Sequence, residues 1–159
     1  MKKFKIVPLT KEYANKIRES KVDNFGNPVY EQLASGKGPC RISLKPFEVG
    51  KDSRLVFAHS PFSIHNAFNQ SGPIFIHKDE VEPYSDIYNF PPEIKADKQN
   101  LPLSLIGYNK NQLMIFSQLV GDTDIDLLIP KIFESEKEIE YLHARNSEAC
   151  CFICKIERN

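Results

Sequence analysis

The chain carries no excess charge, no long apolar run and few glycines, and each shortage removes a class of function. Lys plus Arg and Asp plus Glu both number 21 among 159 residues, so no net field draws in nucleic acid or an anionic membrane. No apolar run nears the ~20 residues of a membrane span. The opening Met1-Lys2-Lys3-Phe4-Lys5-Ile6-Val7-Pro8 starts basic, but Pro8, Lys11 and Glu12 cut short the apolar region a signal peptide needs. The expected location is therefore cytoplasmic. Seven glycines occur, and Ser35-Gly36-Lys37-Gly38 lacks the spacing of a phosphate-binding loop. Ser60 has no Gly-x-Ser-x-Gly elbow around it. Of four cysteines, three crowd into Cys150, Cys151 and Cys154, a poor disulfide framework that fits a reducing compartment.

What is present reads as one globular domain spanning residues 1–159. At 41% hydrophobic and 26% charged, it is long enough to bury a core without staples. There is no internal repeat, low-complexity segment or dividing linker. The stretch Gly72–His77 organises the reading: Gly-Pro ends a loop, Ile-Phe-Ile follows as a buried strand, and an imidazole closes it. Phe4–Val7 alternates as a first strand. Thr10 caps an expected helix over Lys11–Ser20, with Tyr13, Ala14 and Ile17 on one face. Asn24–Pro28 is turn chemistry, and Val29–Leu33 is ambiguous. Cys40–Leu44 and Arg54–His59 read as strands joined by a loop over Phe47–Ser53. Leu55, Phe57 and His59 share one face of theirs, and Pro73, Phe75 and His77 share one face of the next.

The loop Ser60–Ser71 carries His65, Asn66, Asn69 and Gln70. A longer loop after His77 holds Tyr84, Tyr88, Phe90, Pro91 and Pro92. Leu101–Tyr108 and Gln112–Val120 form the firmest hairpin, around Asn109-Lys110-Asn111. Its second strand is apolar on both faces (Leu113, Ile115, Leu119 against Met114, Phe116, Val120), which predicts a central position. Gly121–Asp124 opens a helix whose Ile125, Leu128, Ile129, Ile132 and Phe133 follow core-facing spacing. Pro130 predicts a kink there or a second helical turn. Ile139–His143 and Cys150–Glu157 close the chain as a strand pair. The expected class is α+β: a mostly antiparallel sheet with two or three helices packed on it.

At Gly38-Pro39-Cys40-Arg41, Gly72-Pro73-Ile74-Phe75-Ile76-His77, and Arg145-Asn146 with Cys151-Phe152, the chain resembles a bacterial family known only as domain of unknown function 1203. Phe4–Leu9 and Asp23–Pro28 fit the same pattern, so the resemblance runs over nearly the whole length. It implies a small soluble bacterial protein and no particular activity. Members of that family place further cysteines where this chain has Ser43 and Val81, so a site built on those cysteines would be incomplete here.

Arg41, Arg145, Asn146 and His77 form the preferred constellation. Two guanidinium groups make a clamp for carboxylate or phosphate. Asn146 and His77 would orient the rest of a small anionic ligand, and Tyr84 and Tyr88 would close over it. If chemistry occurs, His77 is the expected acid or base. The bland alternative is that both arginines sit in structural ion pairs or in solvent. This reading requires three distant segments to share one hollow.

A second reading takes Cys40, His77, Cys151 and Cys154 as a zinc site in a structural or protein-interaction module. The Cys151–Cys154 gap matches a zinc knuckle, yet residues three apart in a strand face opposite sides, and no Gly or Pro makes a turn between them. Buried apolar cysteines are the simpler account. Cys40 beside Arg41 is also the residue type of an activated nucleophile. His59, His65 and His143 lack ligand spacing, and His59 is expected to approach His77. No cofactor is expected, zinc being the alternative. A homodimer through strand edges stays open.

Overall fold

The computed structural model describes residues 2–159. The fold is α+β, as the periodicities predict, but the antiparallel strands divide between two sheets. In chain order the elements are β1 (Phe4–Val7), α1 (Lys11–Ser20), β2 (Tyr30–Leu33), β3 (Ser53–His59), β4 (Gly72–His77), α2 (Pro92–Ala96), β5 (Leu103–Tyr108), β6 (Met114–Leu119), α3 (Ile125–Ser135), β7 (Tyr141–Asn146) and β8 (Phe152–Arg158). The larger sheet runs β1-β8-β7-β5-β6 and the smaller β2-β3-β4. Among the described residues no helix is long and apolar enough to cross a membrane.

Each sheet has its own core. α1 lays Ala14 and Ile17 against Leu55, Phe57, Ile74 and Ile76 of the small sheet. Its start is secured by Thr10 Oγ1, which accepts the Tyr13 N–H at 3.1 Å. Its end is Lys21, left-handed at φ 55, whose N–H reaches the Ile17 carbonyl. α3 buries the five predicted residues Ile125, Leu128, Ile129, Ile132 and Phe133 against the large sheet. It continues through Pro130 without a second start. Asp124 caps it by accepting the Asp126 N–H at 3.0 Å.

Two expectations need correction, and two further stretches take a form the pattern left open. Cys40–Leu44 is a tight turn, not a strand: the Leu44 N–H donates to the Cys40 carbonyl at 2.8 Å, and Leu44 has φ 53. Its alternating apolar residues serve two cores, Cys40 and Ile42 the small one and Leu44 the large one. β6 is an edge strand, not a central one. Its outer face stays in solvent, with Leu119 68% exposed. Apolar residues on both faces are therefore no proof of two covered faces. Val29–Leu33, ambiguous by pattern, contains the small sheet's exposed edge strand β2. The loop after His77 is not structureless. Pro92 starts α2, a place where its missing N–H costs nothing, and Phe90 and Ile94 are buried in the large core.

The two sheets meet where β4 approaches β8. The Arg41 guanidinium lies across this junction. Its Nε donates to the Phe152 carbonyl at 2.6 Å, and its Nη1 donates to the Pro39 carbonyl.

Candidate functional site

The junction is shaped by a bulge. Ala144 pairs with Cys154 and Arg145 with Phe152, so Ile153 is one residue in excess on β8. Before the bulge comes a tight connection. Asn146 Oδ1 accepts the Glu148 and Ala149 N–H groups at 2.9 and 2.8 Å. The Cys150 N–H returns to the Asn146 carbonyl, and Cys150 takes φ 64. This puts the Cys150 carbonyl 3.1 Å from Arg145 Nη1, which donates to it.

Among the described residues this is the one well-aligned hydrogen bond of the Arg145 guanidinium, and the Tyr108 hydroxyl also lies within reach of it. Arg145 is 5% exposed, and its Nε and Nη2 are buried without a partner. None of the ion pairs among the described residues involves it. A buried cation without an anion is costly, so its surroundings bear on function.

Arg145 lines a cleft of ≈ 390 Å³ together with His59, Asn69, Cys150, Cys151 and Phe152. His59 Nδ1 is 2.9 Å from the Tyr13 hydroxyl, and its Nε2 is buried without a partner. Burial, then Arg41 and Arg145, push the His59 pKa down to about 4. Burial, then Asp23, push Tyr13 up to about 12. A neutral imidazole therefore faces a neutral phenol. When the phenol donates to Nδ1, the proton stays on Nε2, which becomes a donor. Asn69 Nδ2 is a further buried donor with no acceptor. The cleft thus gathers hydrogen-bond donors and includes no carboxylate in its lining.

Behind it lies a second set of unpartnered groups. Tyr141, His143 and Arg145 alternate on one face of β7, with Tyr108 opposite Tyr141 on β5. Tyr108 and His143 are 0% exposed and Tyr141 5%. The Tyr141 hydroxyl and both imidazole nitrogens lack partners, and the Tyr108 hydroxyl has Arg145 within reach but no well-aligned bond. Burial first, then Arg145, Lys155 and His59, hold the His143 pKa well below the usual value. Burial raises that of Tyr108, while the Arg145 charge and a poorly aligned hydrogen bond with Arg145 oppose it. Phe152 separates the two sets, 5.8 Å from His59 and 4.8 Å from His143 between ring centroids. A larger cleft, ≈ 470 Å³, lies between α2, β6 and the start of α3. None of the buried unpartnered atoms belongs to it. Its Lys95 is paired with Asp126, and its Lys98 donates to the Thr123 carbonyl.

The predicted constellation does not assemble as a whole. Arg145 lines the cleft. Arg41 lies close behind it but is spent on backbone carbonyls, and burial lowers its pKa to about 10. Asn146 shapes the β7–β8 turn and is not in the cleft lining. Tyr84 packs on the large core and donates to the Asn89 carbonyl at 2.9 Å, on another surface. His77 is the clearest correction. Antiparallel pairing sets His59 against Gly72 and His77 against Arg54. The two histidines therefore stand at opposite ends of the hairpin, and the period of two puts them on opposite faces. His77 packs tilted against Phe47 at 4.7 Å, and burial lowers its pKa. His59 takes the place beside Arg145 that the reading gave to His77.

The zinc alternative fails for the same geometric reason. His77 is at the far end of β4, and no group of three or more His, Cys, Asp or Glu residues among those described is placed to hold a metal. All four cysteines are free. Cys154 is fully buried, its pKa pushed up to about 12 by burial. The groups the sequence reading undervalued are His143, Tyr108 and Tyr141. Their signal was there: Tyr141, His143 and Arg145 put polar tips on one side of a strand whose other side is Leu142 and Ala144.

No curated protein and no solved structure matches this chain. The family described as protein of unknown function (DUF1203) matches residues 37–158, which include the cleft and the cluster behind it and leave out α1 with Tyr13, and this chain belongs to that family.

Proposed function

We propose that this protein binds a small anion at the junction of its two sheets, with Arg145 as the anion-bearing residue and His59 and Asn69 as supporting donors. The observation that carries the reading is Arg145, 5% exposed, whose guanidinium has one well-aligned acceptor and no carboxylate partner among the described residues. A planar guanidinium with two free nitrogens suits carboxylate or phosphate. His59 near pKa 4 holds its neutral form at physiological pH, a state that favours donation to an anion over proton transfer. The partner is a small molecule and not nucleic acid or a membrane, in keeping with the balanced charge. The four free thiols support a cytoplasmic setting.

The test is thermal unfolding with inorganic phosphate, sulfate and short carboxylates. A ligand of the folded form at a hundred times its Kd adds about 2.7 kcal/mol, and the unfolding temperature rises accordingly. Arg145→Met should abolish that rise while keeping the fold, because a buried charge gives way to an apolar chain of similar length. If no anion raises the wild-type transition, or Arg145→Met responds equally, the reading is wrong.

A further inference from the structure

What covers the second set of unpartnered atoms is a phenyl ring. Phe62 meets Tyr108 edge-on and tilts against His143, with centroids 5.1 and 5.2 Å away. An apolar ring keeps water from these groups and supplies no hydrogen bond in its place. Arg145, Tyr108, Tyr141 and His143 are each nine-tenths buried or more, and each retains at least one polar atom without a well-aligned partner, Tyr108 and Arg145 having each other within reach. Aromatic rings crowd around them: Tyr108 stacks on Tyr141 at 5.4 Å, Phe152 meets His143 edge-on, and Lys155 Nζ lies 4.6 Å from the Tyr141 ring. The Phe62 ring of the chain itself already packs against this cluster.

Phe62 belongs to the segment between β3 and β4, which also brings Asn69 to the cleft. This segment is tied to the β5–β6 turn by side chains. Gln112 Oε1 accepts the Ser63 and Ile64 N–H groups at 3.0 and 2.9 Å, and Asn66 Nδ2 donates to the Asn111 and Gln112 carbonyls. Such half-exposed ties open at low cost.

We infer that the anion is an aromatic one bearing a ring hydroxyl or ring nitrogen, and that its ring takes the place of the Phe62 side chain. The inference rests on the anion-binding reading above. Arg145, which borders both the cleft and the cluster, receives the charged group. Tyr108, Tyr141 and His143 meet the polar group on the ring, and Phe152 packs on its face. A site built to hydrogen-bond a hydroxyl rejects the analogue lacking it, because its own buried groups are then left unpaired.

Titration calorimetry on the full chain decides it, with 4-hydroxybenzoate, benzoate, cyclohexanecarboxylate and inorganic phosphate as probes. 4-Hydroxybenzoate should bind about tenfold tighter than either of the other carboxylates. Tyr108→Phe should reduce that preference and spare phosphate. Phe62→Ala should tighten 4-hydroxybenzoate several-fold and leave phosphate unchanged. Should Phe62→Ala fail to fold, Gln112→Ala unties the segment without altering the slot, and the same tightening is expected. If phosphate binds through Arg145 while 4-hydroxybenzoate binds no better than cyclohexanecarboxylate, the aromatic inference is overturned and the anion site stands. If no probe binds, or Arg145→Met leaves all binding unchanged, both are overturned.

Discussion

His59 and His143 are both disfavoured as cations, by burial first and by Arg41, Arg145 or Lys155 after it, and this ties the stability of the protein to pH. The folded pKa of His59 is about 4, against 6.5 for the free side chain. As pH falls below 6.5 the unfolded chain takes up the proton first. The stabilising difference is therefore complete above about 6.5 and drains away between about 6.5 and about 4. His143 adds to the same slope from the same starting point. Replacing His59 by Gln removes one proton from this linkage, so the slope of unfolding free energy should fall by up to about 1.4 kcal/mol per pH unit in that window. Urea unfolding at several pH values measures it, and parallel curves for the two proteins would contradict it. Asp23 tilts the same way at lower pH. Burial works against its charge, but N–H groups of Ala58, Asn27 and Phe25 together hold its carboxyl below the usual range.

Among the elements, β5 is tightly constrained at Gly107. At Gly107 its pairing with β6 shifts register. A Cβ there would sit 2.7 Å from Ile139 Cδ1 and 2.9 Å from Phe116 Cβ, and Phe116 Cβ cannot swing aside as a side-chain tip can. Gly107→Ala should therefore cost about 1–3 kcal/mol by overpacking. Gly36→Ala, with nothing within 4 Å, should stay within about 0.5 kcal/mol of the parent. Denaturant midpoints of the two variants compare them directly, and equal midpoints would show that β5 and β6 can move apart. Helix α3 makes a contrasting case. Pro130 removes a backbone donor from its interior, yet five buried apolar side chains hold it in one piece. Packing of the apolar face outweighs local propensity there.

At the scale of the whole molecule, two sheets with separate cores share a junction that Arg41 straps together, its backbone N–H donating to the Phe75 carbonyl of β4 and its Nε to the Phe152 carbonyl of β8. Hydrogen bonds from a charged donor are each worth about 1.5–3 kcal/mol. Arg41→Met should then cost about 3 kcal/mol and raise amide exchange in β4 and β8 before the rest of the fold. Unchanged exchange there would mean the strap is dispensable. Within single segments the sequence determined a good deal. The Thr10 cap with Ala14 and Ile17 defined α1, the five-residue apolar face defined α3, and Asn109–Asn111 between apolar runs defined the β5–β6 hairpin. These signals rest on residues within a few positions of one another, where capping and periodicity act alone. Only the tertiary structure decided which side chains meet. Antiparallel pairing carried His77 away from Arg145 and brought His59 to it. The sheet order left β6 at an edge, and the β7–β8 bulge set Arg145 beside Tyr108 and His143. Such meetings depend on which strand hydrogen-bonds to which and on how two cores lean together, and no local pattern of residues encodes either.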